Sequence, residues 1–158
     1  MKPTPPAAAV LTTAFYAFYD LHHPAYHAYA AARLPHEEAR LSVTQLFDLI
    51  ASNWTWIMTE RCPSAWAWAE HTRAIARRAG HTSTPAEDAA LLHDDLCLSI
   101  DRIATITGTE SARVTALLAA ARRTPQPAAR KRSGSEGGWR VRLGALSWSC
   151  GGSLGRWV

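Results

Sequence analysis

Apolar residues recur at helical spacing through the first half of the chain. Over residues 14–33, Phe15, Phe18, Tyr19, Tyr26 and Tyr29 fall on one face. Thr12 and Thr13 stand ahead of them as N-caps, and Leu34–Pro35 closes the segment. Over residues 37–59, Leu41, Leu46, Phe47, Ile50, Trp54 and Ile57 keep the same period, with Glu37 and Glu38 at the start, where negative charge complements the helix dipole. Cys62–Pro63 stops this run, and Ser64 can cap a third helix reaching about residue 79 with Trp66, Trp68 and Ile75. These three helices predict one bundle over residues 12–79.

Residues 80–85 (GHTSTP) are polar, with a turn former at each end, and read as a linker. A second unit over 86–123 is then predicted from helical patterns at 86–96, 99–107 and 109–123. From Thr124 the period fails among Pro125, Pro127 and a Gly/Ser/Trp mixture, so residues 124–158 are predicted to be a disordered tail. Strand formers are sparse and alanine abundant. The expectation is an all-α chain: an N-terminal three-helix bundle plus a C-terminal helix-turn-helix domain.

The second unit carries the sharpest signal. A tight helix-turn-helix needs a small residue where the helices cross, a turn residue tolerant of positive φ, and apolar positions that face each other. Ala104, Gly108 and Val114 supply these in register, and Ile100, Ile103, Leu117 and Leu118 complete the seam. Ser99 and Thr109 are good N-caps for the two helices. In this register Glu110, Ser111, Arg113, Thr115 and Ala116 lie on the outer face of the second helix, whose N-terminal half would meet base edges in a major groove. Arg113 suits guanine, while Thr109, Ser111 and Thr115 are short donors for bases or phosphates; Arg102, Arg122 and Arg123 would hold the backbone. The competing reading is a helical hairpin that packs on a protein partner.

Charge changes the picture only by its distribution. Residues 1–123 hold 11 Lys/Arg against 12 Asp/Glu, and residues 124–158 hold 6 against 1, so the basic character belongs to the tail. The three cysteines, Cys62, Cys97 and Cys150, are far apart and form no zinc-like cluster. That usage points to a reducing cytoplasm. The apolar residues near the N-terminus are interrupted by Pro3, Pro5 and Pro6 and fall short of a signal segment, and no stretch suits a membrane span.

Residues 92–123, with the turn placed at Gly108 and the closing Ala121-Arg122-Arg123, resemble the −35-binding region 4 of RNA polymerase sigma factors of the extracytoplasmic-function type. Phe15, Tyr19, His23, Tyr29 and Ala30, then Ala39, Val43, Phe47 and Trp54, and finally Trp66, resemble region 2 of the same family. The resemblance implies promoter DNA and core RNA polymerase as partners, and an anti-sigma factor as a further one. It also implies a surface for single-stranded −10 bases, for which Trp66, Trp68, Arg73 and Arg77 are the candidates, since bases stack on aromatic faces beside cations. Packing of those tryptophans in the bundle core is the competing reading. Where the family carries acidic residues after the alanine of its second helix, this chain has Arg40 and Leu41.

Nothing suggests catalysis or a cofactor. There is no Gly-rich phosphate loop, nucleophile elbow or Cys/His arrangement. His23 and His27 have the i,i+4 spacing of metal ligands but lack a third ligand at a suitable offset. Glu87–Asp88 and Asp94–Asp95 sit near a helix start, where carboxylates complement the dipole. Arg130–Arg132 could add phosphate contacts or simply be solvated.

Overall fold

The computed structural model describes residues 7–123, all-α over that span; the N-terminal leader and the segment from 124 onward, including the predicted tail, lie outside the described residues. The first helix, α1 (Ala7–Ala31), starts earlier than expected. Thr13 sits inside it and donates its hydroxyl to Ala9 O at 2.9 Å, which satisfies the threonine without ending the helix. Ala7, Ala8 and Ala9 are strong helix formers, and Trp54 Nε1 donates to Leu11 O at 2.9 Å, tying the added turn to the core. Pro24 lies within α1 on its exposed side.

The predicted second helix is broken in two. The segment α2 (His36–Ser52) ends at Asn53, whose φ of −115° and ψ of 13° leave the helical region, and α3 (Trp54–Ile57) follows as a single turn. Asn53 stabilises the break by donating its Nδ2 to Leu49 O at 2.9 Å. The kink swings Trp54 onto α1, with ring centroids 5.5 Å from Phe15 and 5.3 Å from Phe18. Helix α4 (Pro63–Ala79) starts one residue before the expected cap: Pro63 occupies the first turn, where its missing N–H costs nothing. The Ser64 hydroxyl instead bonds to His22 Nε2 at 2.9 Å, and His22 Nδ1 donates to Phe18 O at 2.8 Å.

Within the segment read as a linker, Thr84 caps α5 (Pro85–Ala90) in a reciprocal box: Glu87 N donates to Thr84 Oγ1 at 3.2 Å, and Thr84 N to the Glu87 carboxylate at 2.7 Å. The bond from Thr84 N holds the Glu87 carboxyl below its usual range. The chain continues through a π-helical turn, Leu91–Asp95, into α6 (Ile100–Thr107), where Ser99 accepts from Arg102 N as expected. Gly108 ends α6 at φ +65°, and Thr109 N donates to Ala104 O at 3.0 Å. Helix α7 (Ser111–Arg123) begins two residues beyond the expected Thr109 cap, and its first bond runs from Val114 N to Glu110 O.

One hydrophobic core runs through these helices, from Tyr26, Tyr29, Val43 and Ile50 to Ile75, Leu92, Ile103, Ile106 and Val114. Polar bonds stitch the early helices to the later ones. Tyr26 donates its hydroxyl to Ile106 O at 2.9 Å, and Arg102 donates to Leu21 O at 2.6 Å. The Asp88 carboxylate accepts from Tyr29 at 2.6 Å, Ser83 at 2.6 Å and Arg33 at 2.9 Å, with Arg33 and Asp88 only 11% and 10% exposed. No helix among the described residues is long and apolar enough to cross a membrane.

Candidate functional site

The turn of the α6–Gly108–α7 hairpin is specified twice. The positive φ favours glycine, and a Cβ there would stand 2.7 Å from Cys62 Sγ and closer still to the Ala65 backbone. Gly108 therefore seats the turn directly on the start of α4. Val114 and Leu118 bury one side of α7 against the core, and Ile103 does the same from α6. Glu110, just ahead of α7, and Ala112, Arg113, Thr115 and Ala116 on it are exposed, with Arg113 beside the buried Val114.

The predicted site residues divide into three groups. Glu110, Arg113, Thr115, Arg122 and Arg123 are exposed, although the Thr115 hydroxyl donates to Ser111 O at 3.0 Å. Ser111 and Arg102 are engaged inside the protein: Ser111 donates to the Asp101 carboxylate at 2.8 Å, and Arg102 reaches back to α1. Thr109 is half-buried in the turn.

Trp66 and Trp68 serve different neighbours. Trp66 packs edge-on against Trp56 at 5.7 Å. Trp68 packs among Tyr29 at 4.8 Å, Tyr26 at 5.6 Å and His71 at 5.8 Å, an aromatic cluster that belongs to the core. His71 stacks on Tyr26 at 4.7 Å, and burial lowers its pKa to about 3, so the ring is neutral and donates Nε2–H to Tyr26 O at 3.0 Å. Arg73 pairs with Glu70, and Arg77 is exposed without an ion pair to any described residue.

What sequence spacing missed is that several of these candidates share one chamber. A cavity of about 790 Å³ lies between α4, the start of α5, α6 and α7, and its wall includes Trp68, Arg73, Arg77, Thr109 and Arg113. Its floor is apolar, with Ala76, Leu92, Val114 and Leu117. Arg73 and Arg77 come from α4 and Arg113 from α7, and the sequence carries no signal that they line the same cavity.

His23, His27 and His36 form a chain of ring contacts at 6.2 and 6.4 Å, but no group of three His, Cys, Asp or Glu among the described residues is placed to hold a metal ion. No protein-family model, curated protein or solved structure matches the chain.

Proposed function

We propose that this chain is a sigma-factor-like DNA-binding protein that directs promoter recognition and transcription initiation by RNA polymerase, acting in the cytoplasm without catalysis of its own. The observation that carries the reading is the α6–α7 hairpin: a glycine turn with positive φ, a buried inner seam, and an outer face with Arg113 and Glu110 free of ion pairs to described residues. This hairpin would be the helix-turn-helix, with α7 in the major groove. Arg113 would bond guanine through two donors, Glu110 would accept from cytosine N4, and Arg122 and Arg123 would meet phosphates. Helices α1 to α4 would contact core polymerase.

A second reading is favoured by α2. Arg40 is spent on an exposed pair with Glu37 at 3.2 Å, and Leu41 is 46% exposed, where the resemblance leads one to expect acids. A regulator that keeps the DNA-reading hairpin without engaging polymerase fits that surface.

The deciding experiment asks whether the purified chain co-migrates with core RNA polymerase and yields run-off transcripts from the promoters of its own genome. Transcripts support the sigma-like reading. Duplex binding without polymerase association supports the regulator. Loss of both refutes DNA-directed function and leaves a protein-binding helical adaptor.

A further inference from the structure

The cavity beside α7 combines an apolar lining with unpaired cations, a combination that promoter recognition does not require. Its volume of about 790 Å³ falls in the range of small-molecule sites, roughly 300–1,000 Å³. Its floor is aliphatic and aromatic, while Arg77 and Arg113 face it from two different helices and pair with no described carboxylate. Asp88, the one acid on the wall among the described residues, already accepts from Arg33, Tyr29 and Ser83. Positive charge at this chamber is therefore unanswered from within the described fold.

We infer that this cavity binds a small amphiphilic anion, a carboxylate with an apolar body, whose head is held by Arg77 and Arg113 and whose body covers the half-buried Trp68, Ala76 and Leu117. A guanidinium presents its donors in a planar fork that matches a carboxylate, and partial removal of water strengthens that bond. A bare inorganic anion would leave the accessible apolar lining at Trp68, Ala76 and Leu117 wet, and a neutral apolar molecule would leave the arginines to water. Only a ligand with both parts satisfies both walls. The inference stands apart from promoter recognition: the two share Arg113, but ligand binding needs no DNA.

Calorimetric titration of the full chain with decanoate, held below its micelle concentration, tests this directly, with decanol as the neutral counterpart. Decanoate is expected to bind at one saturable site and decanol at least about tenfold more weakly. The double variant Arg77→Gln/Arg113→Gln should lose about tenfold or more in decanoate affinity and bind decanol as before, which also shows that the chamber is intact. Ala76→Phe, which fills the floor, should weaken both ligands while helicity by circular dichroism is retained. Absence of saturable decanoate binding, equal affinity for decanol, or an unchanged affinity in the double variant would each overturn the proposal.

Discussion

Gly108 and Gly80 hold nearly the same backbone conformation, φ +65° and +72°, yet their surroundings differ completely. A Cβ on Gly80 meets nothing within 4 Å, whereas one on Gly108 collides with Ala65 and Cys62. Gly80→Ala should therefore cost only the left-handed backbone penalty, about 1–2 kcal/mol. Gly108→Ala adds overpacking against α4 and should cost about 2–5 kcal/mol. Urea unfolding of the two variants checks the contrast, and equal midpoints would show that the turn does not press on α4. His71 supplies a pH dependence. Burial lowers its pKa to about 3 from an unfolded value of 6.5, so below pH 6.5 the unfolded chain takes up a proton that the folded chain refuses. Its contribution is complete above that pH and is lost as pH falls toward 3, about 2 kcal/mol between pH 7 and 5. His22, also lowered by burial, adds in the same sense. Denaturant unfolding at pH 7 and pH 5 should show the loss, and His71→Gln, which keeps a donor for Tyr26 O without titrating in this range, should flatten the slope.

At the scale of elements, the helices that follow from apolar spacing are those whose buried faces are made of large side chains: α2 with Leu46, Phe47 and Ile50, and α6 with Ile103 and Ile106. What spacing obscured lies where local hydrogen bonds compete with it. The 37–59 run continues its apolar period through Trp54 and Ile57, but the Asn53 amide bonds back to Leu49 and frees Trp54 to turn onto α1. Thr84 and Glu87 carry the spacing of a capping box, legible in principle, although the surrounding Gly, Ser and Pro suggested a linker. That Arg77 and Arg113 line one cavity was not legible at all, because it depends on how α4 and α7 are placed by the helices between them. The exposure of Arg113, Thr115 and Ala116 on α7 was legible, the engagement of Ser111 with Asp101 was not, and Arg113 yields a prediction. If Arg113 reads guanine through two bonds, Arg113→Ala should weaken binding to one promoter duplex by about 1–3 kcal/mol and random duplex far less. Fluorescence anisotropy at constant salt measures both, and equal losses would refute base reading. Arg122→Ala, at the end of α7, should weaken both duplexes alike and reduce the salt slope by about one.

At the scale of the molecule, the helices from Ala7 to Arg123 fall within one compact unit, so the later helices are tied to the earlier ones by interactions that are not all apolar. The most concentrated of these is the Asp88 cluster, where a carboxylate from α5 accepts from Tyr29 and Arg33 of the first helical region and from Ser83 beside it. Asp88→Asn keeps an acceptor of the same shape but removes the charge that answers Arg33, whose guanidinium is nearly buried and whose Nε already lacks a protein partner. Leaving a buried cation uncompensated costs about 3 kcal/mol or more. If the helices unfold as one body, that loss is felt everywhere. The slowest-exchanging amides of α1 and α4 should then speed up by about a hundredfold, together with those of α6 and α7. If the two halves are separate folding units, the amides of α1 and α4 and those of α6 and α7 will not speed up together by the same factor. Hydrogen exchange resolved by residue distinguishes these outcomes. The first would mean that the hairpin presents its exposed face from a rigid support, and that disturbing the aromatic core around Trp68 disturbs Arg113 as well.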